Sequence, residues 1–346
     1  MTTDVTRDDG VEFGTTNFCP VFQGAQVARA NEDLGYDLQL FGENHNMAAD
    51  IFGELRDAAR ATSRIKLLAG PVNFVTRDPG VIASAIAPIQ ILSGGRAICG
   101  IARGDSAVAL AGLKPQRYAD LARDLDLVRR YLARETVFFG DRESRLEWLP
   151  LGDQPYAPTP IEMVCSGPRS IALAATCADR IGLSIGANPE RMRWALGIID
   201  AALDVAGRSR ADVRIGAYVP VAVTDTRDAG RAEIKYRVAG WAHMSSFAGN
   251  DLAAQPEIMR RVTARLREGY DYRFHRADVP LDNPNTRQID EAFGDWFGIG
   301  GPPAYIAERL QELVELGART FVTSLVGREH ERFATEVIPQ LRTPRP

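Results

Sequence analysis

Five short polar stretches each follow an apolar run: Asn17-Phe18-Cys19, Glu43-Asn44-His45, Gly70-Pro71-Val72-Asn73, Arg103-Gly104-Asp105-Ser106 and Ser166-Gly167-Pro168. Their residue types could do proton and phosphate chemistry. His45 can give, take or carry a proton near neutral pH, with Glu43 and Asn44 beside it as an acid–base group and an amide. Arg103 presents a planar fork of donors suited to a phosphate, and Gly104 lets the backbone approach a ligand closely. Asp105 and Ser106 add a carboxylate and a hydroxyl. Ser166 and Gly167, ahead of Pro168 and a helical run, can offer a hydroxyl and backbone N–H groups to a phosphate. Each also has a plainer reading: His45 as a satisfied surface histidine, Glu43 as a solvated acid, Asp105 and Ser166 as helix caps, Asn73 as the closer of a turn. Their shared position at the ends of apolar runs is what argues for one site.

The elements that must hold these stretches follow a regular rhythm. Strands are expected at Val11–Cys19, Asp37–Phe41, Ile65–Val72, Ala97–Ala102, Ile161–Cys165, Arg180–Ile185, Val213–Val223 and Thr320–Val326. Helices are expected between them, among them Ala25–Leu34, Asp50–Thr62, Pro79–Leu92, Leu113–Leu132, Pro189–Ala206 and Thr226–Met244. Alternation of this kind argues a parallel sheet with crossover helices, and eight units argue closure into an α/β fold, the (β/α)8 TIM barrel. A doubly wound sheet fits less well, since no early GxGxxG occurs. Two stretches break the rhythm. Residues 134–160, rich in Pro, Gly and aromatics with a possible hairpin, follow strand 4. Residues 245–299, with Tyr270, Tyr272, Phe274, His275, Trp296 and Phe297, follow strand 7 as a lid-like insertion. One barrel domain over 1–346 is the expectation.

Composition narrows the function. Of 346 residues, 45% are hydrophobic and 25% charged, and the net charge is -4, so nothing points to nucleic acid or an anionic membrane. No apolar run approaches a membrane span, and Met1–Gly10 lacks the basic start and apolar core of a signal peptide. Cys19, Cys99, Cys165 and Cys177 form no CxxC pair and read as reduced thiols of a cytoplasmic protein. The four histidines lie far apart, so no metal site is expected. No serine elbow or Walker loop occurs.

Four blocks carry a resemblance: Ile65 to Pro79, Ser93-Gly94-Gly95-Arg96 with the following strand, Ser166-Gly167-Pro168 with Ala178-Asp179-Arg180, and Gly301 to Leu310. Through them the sequence, from about Val11 to Leu341, resembles the bacterial luciferase-like superfamily of flavin- and deazaflavin-dependent oxidoreductases. The resemblance implies a ring-binding site at the carboxyl end of the barrel and a bulge or cis peptide at the end of the third strand, here Gly70-Pro71, with Val72 and Asn73 alongside. It implies a phosphate site at Arg103 with Ser166 and Gly167. It leaves the proton donor among His45, Glu43 and Asn44, since the second-strand motif has an amide where a histidine is common. Because Arg103 matches the FMN branch, FMN-dependent monooxygenation of a small apolar or ring-shaped molecule is the first expectation, with reduced FMN supplied by a separate reductase. The alternative is hydride transfer by the deazaflavin coenzyme F-420, since Gly70 to Pro79 and Gly104-Asp105 are similar to the methylenetetrahydromethanopterin reductases. A flavin-binding barrel without turnover is a third. The resemblance also implies a homodimer.

Overall fold

The computed structural model describes residues 10–149, 156–246, 255–275 and 280–342. The leader up to Asp9, and Pro150 and Pro155 of the first irregular stretch, lie outside them.

Eight parallel strands close into a barrel. They are β1 (Glu12–Asn17), β2 (Leu38–Phe41), β3 (Lys66–Val72), β4 (Ala97–Ile101), β7 (Ile161–Cys165), β8 (Arg180–Leu183), β9 (Arg214–Val223) and β11 (Thr320–Ser324). Neighbours pair in chain order, and β11 pairs with both β9 and β1 to close the ring. Two elements lie outside the ring. β5 (Val137–Phe139) and β6 (Arg142–Ser144) form the antiparallel hairpin of the excursion after strand 4, and β10 (Ile299–Gly301) adds to the far end of β9. The expected (β/α)8 architecture is therefore the one observed.

Alternation within the strands sets the two layers of the core. Leu38, Leu40, Leu68, Ile98, Val164, Tyr218 and Val322 point into the barrel and pack on one another. Leu67, Ala69, Cys99 and Val72 point outward against the helices. Below the inner apolar layer sits a layer of charge. Arg180 on β8 donates to Glu162 on β7 at 2.9 Å, to Glu12 on β1 at 2.7 Å and to Thr320 on β11 at 3.0 Å. Arg214 on β9 lies 3.1 Å from Glu12, and Lys66 on β3 also pairs with it. Burial would raise the Glu12 carboxyl, but Arg180, Arg214 and Lys66 hold it down to about 2.

Two helix expectations are corrected. The helix expected from Leu113 starts at Tyr118, because Gly112 and Pro115 break the run after a short helix, Ser106–Leu110. The helix expected over Thr226–Met244 is two, Arg227–Ile234 and Ala239–Met244. The insertion consequently begins just after β9 and not at Ser245. Its helices, with Glu257–Gly269 and Glu291–Phe297, share a separate core of Ile234, Val238, Val262, Leu266, Phe293 and Phe297. No helix among the described residues is long and apolar enough to cross a membrane.

Candidate active site

The carboxyl ends of the strands surround a cavity of about 510 Å³. Its floor is the top of the barrel core, with Leu40, Val164 and Tyr218; its roof comes from the insertion, with Trp241, Met244, Tyr270, Phe274 and His275. Tyr218 is held from below by donating to Glu162 at 2.7 Å, which ties the cavity floor to the charged layer.

The loop after β3 is shaped by its own sequence. The Gly70-Pro71 peptide is cis, and the β3–β4 register shifts between Ala69 and Val72. Gly70 has φ +93°, and a Cβ there would lie 2.1 Å from Val72 N, so only glycine fits. Gly70, Pro71 and Asn73 line the cavity, whereas Val72 points into the outer core. Asn73 does close the turn: its Oδ1 accepts from Val75 N at 3.1 Å and Thr76 N at 3.0 Å. That leaves the Nδ2 amide as the group Asn73 can turn to a ligand.

The loop after β4 brings Arg103, Gly104, Asp105 and Ser106 to the cavity together. Arg103 donates from Nε to Gln116 O at 2.9 Å and from Nη1 to Tyr118 Oη at 3.3 Å. Its guanidinium and that of Arg169 each lie 4.3 Å from the Tyr118 ring centre. Nη2 takes no partner among the described residues. Asp105 precedes the short helix without capping it; its Oδ1 accepts from Tyr272 Oη at 2.7 Å and lies 3.4 Å from His243 Nε2. Burial would raise this carboxyl, but His243, His275 and Tyr272 hold it below the usual range.

The second-strand group splits apart. Glu43 lines the cavity with its side chain 4% exposed, 3.6 Å from Arg77 Nε, and its Oε2 has no hydrogen-bond partner among the described residues. Burial, the largest cause, raises its carboxyl although Arg77 and His45 pull it down. Asn44 is buried outside the cavity and ties two loops together by donating to Ser106 Oγ at 2.8 Å. His45 is exposed, beside Asn46 Nδ2 at 3.1 Å, and does not face the cavity. At the fifth strand, Ser166 and Gly167 line the cavity but are engaged: Ser166 Oγ donates to Met244 O at 2.8 Å and Gly167 N donates to Ser170 Oγ at 3.2 Å. Pro168 heads the helix Pro168–Cys177 and does not line the cavity.

A further cluster was not legible as a site. Tyr270 donates to or accepts from His275 Nδ1, and its ring stacks on His243 at 3.7 Å and 9°. His243 Nε2 lies 2.8 Å from Tyr272 Oη. His243 is a lone histidine in a helical stretch, with no spacing to single it out; Tyr270, Tyr272 and His275 show only as lid aromatics. No group of three or more His, Cys, Asp or Glu side chains fit to hold a metal occurs among the described residues.

Residues 20–320 match the family model described as luciferase-like monooxygenase. The chain belongs to that family. It is an oxidoreductase by kinship, and its relatives differ in cofactor. The chain is 26% identical over 330 residues to the 5,10-methylenetetrahydromethanopterin reductase of Archaeoglobus fulgidus, covering 90% of this chain and 93% of that one. It is 25% identical over 275 residues to the F-420-dependent glucose-6-phosphate dehydrogenase of Microbacterium testaceum, covering 76% and 74%. Among solved structures, the coenzyme F-420-dependent tetrahydromethanopterin reductase of Methanopyrus kandleri superposes with a TM-score of 0.72 at 21% identity over 96% and 99% of the two chains. The FMN-bound oxygenating constituent of 3,6-diketocamphane monooxygenase from Pseudomonas putida does so with 0.66 at 17% over 97% and 100%. Likeness at those identities speaks to the barrel alone.

Proposed function

We propose that this chain is a deazaflavin-dependent oxidoreductase, moving a hydride between coenzyme F-420 and a small organic substrate. The observation that carries the reading is kinship along the sequence: an F-420-dependent dehydrogenase aligns over three quarters of the chain, and a methylenetetrahydromethanopterin reductase over nine tenths. FMN monooxygenation, favoured by the arginine at 103 alone, becomes the second reading.

The residues fit a tricyclic ring with a phosphate-bearing side chain. The cavity has an apolar floor, bare backbone at Gly70, and the Asn73 amide at one edge. Glu43 adds a buried carboxyl with an unpartnered oxygen. Bound there, the deazaflavin would supply a two-electron hydride donor or acceptor. Pro71 would press an apolar face on the ring, and Asn73 would donate to its polar edge. Arg103 Nη2 and the Ser106 hydroxyl would hold the phosphate, while the insertion would exclude water. The engaged Ser166 and Gly167 would shape this wall without supplying their donors.

Calorimetric titration with F-420 and with FMN, each oxidised and reduced, tests the reading. Submicromolar to micromolar binding of F-420 with much weaker FMN binding is expected; the reverse order returns the assignment to FMN. Arg103→Ala should weaken F-420 binding by ~1.5–3 kcal/mol, the range for a charge-assisted hydrogen bond.

A further inference from the structure

His275 faces the cavity from the insertion, and no role described so far uses it. We propose that His275 is the proton-transfer residue, acting on the oxygen of an uncharged, largely apolar alcohol. The inference rests on the deazaflavin reading.

The geometry fixes the ring. Nδ1 is tied to the Tyr270 hydroxyl, so Nε2 is the nitrogen left for the cavity. Tyr270 is held in turn between the His243 ring, stacked at 3.7 Å, and the edge of Tyr272 at 5.3 Å. The Tyr272 hydroxyl is anchored on Asp105 at 2.7 Å. The titratable groups facing His275 are therefore Tyr270, Tyr272, His243 and Asp105. Burial and His243 push its imidazole below the ordinary value, against the pull of Asp105. A neutral imidazole at neutral pH is a base, and a nearby carboxylate then stabilises the imidazolium it becomes. His45, at the second strand, is exposed and turned from the cavity.

The reaction balances. The alcohol's C–H bond breaks, and its hydride passes to oxidised deazaflavin. The hydroxyl proton passes to His275 Nε2, and the carbon–oxygen bond becomes a carbonyl. The proton leaves to solvent when the carbonyl product departs. The walls choose an uncharged body: Leu40, Trp241, Met244, Phe274, Leu281 and Leu325 are apolar. Glu43 and Asp105 oppose an anion, and Arg237 is already paired with Glu329 and with Glu233 at 3.1 Å.

The test follows reduction of oxidised F-420 by isopropanol, cyclohexanol and menthol, with glucose 6-phosphate as the charged probe, while calorimetry measures coenzyme binding separately. The wild type should oxidise at least one alcohol, with kcat/KM falling on the acid side. His275→Gln should lower kcat ~10²–10⁴-fold and abolish that acid limb, with coenzyme Kd within about threefold of wild type. Tyr270→Phe, which releases the His275 ring, should lower kcat less than His275→Gln does and should move the acid limb rather than abolish it. The ligand-free protein gives a second readout: with four histidines in the chain, the His275 ring signal is assignable by NMR. It should titrate below the ordinary ~6.5, and lower still in Asp105→Asn. An acid limb surviving in His275→Gln, turnover within threefold of wild type, or an ordinary His275 titration overturns the proposal. F-420 binding without oxidation of any alcohol, or with glucose 6-phosphate preferred, overturns the substrate class. Failure to bind F-420 at all is seen in the calorimetry and ends the deazaflavin reading along with this one.

Discussion

At the scale of single residues, Glu43 carries the clearest conflict between stability and site. A buried carboxyl oxygen with no partner costs ~1–3 kcal/mol, and burial raises the group's pKa. A carboxyl raised in the folded state stabilises the fold most below its unfolded pKa, and that contribution is lost as pH rises through the folded value. Glu43→Gln should therefore raise Tm at pH 8 by ~1–3 °C and make no difference near pH 4, checked by thermal unfolding at both. A Tm that falls equally at both pH values would show that the carboxylate is well satisfied. The same scale shows why site residues were only half legible. Gly70, Asn73, Arg103 and Asp105 face the cavity because backbone position at a strand end dictates it. The three-residue run Glu43-Asn44-His45 leaves β2 as irregular backbone that enters a turn at His45, so strand alternation no longer sets the side chains, and of the three only Glu43 lines the cavity.

At the scale of elements, glycine decides whether the loop after β4 can exist. Gly104 has φ +97°, and a Cβ there would meet Val108 Cγ2 at 2.4 Å. Gly104→Ala should thus cost ~1–3 kcal/mol by strain and crowding together, measured by urea unfolding, and should also weaken coenzyme binding because Arg103 and Asp105 flank it. An unchanged midpoint would mean the loop relaxes freely. Strands and long helices read well from sequence: Pro79–Leu92 and Pro189–Ala206 run as expected, since proline at the start marks the first turn. The insertion read poorly. Its helices bury their faces on one another in a small core, and no strand–helix period announces that packing.

At the scale of the whole molecule, one charged cluster joins six of the eight barrel strands: Glu12, Lys66, Glu162, Arg180, Arg214 and Thr320. Removing the central cation leaves the buried Glu162 with only the Tyr218 hydroxyl among the described residues and Glu12 with Arg214 and Lys66 as its cations, and breaking a buried pair in this way typically costs ~3–5 kcal/mol. Arg180→Met should show that loss in urea. The pH dependence has a defined sign. With Glu12 held at about 2 in the fold, its contribution is present above the unfolded value of 4.5 and is lost as pH falls toward 2. The wild type should keep this contribution at pH 5, and Arg180→Met should unfold at a higher pH during acid titration; coincident acid transitions would rule the cluster out as a support. Nothing in the sequence disclosed this layer, because each charge sits alone at the start of an apolar strand and meets the others only on closure.

The ten-residue strand β9 pairs with β11 over Gly216–Pro220 and with β10 over its last three residues. Its exit and the return of the chain are thereby set side by side, with Thr224 N donating to Gly301 O at 3.0 Å. Everything between leaves and re-enters through one doorway and carries its own core. The entropy of closing a loop grows only as the logarithm of its length, so the doorway tolerates tenants of very different size. A lineage, or an engineer, can exchange this segment as a cassette while the barrel beneath keeps its strand-end loops, so the roof of the cavity can evolve without renegotiating the fold.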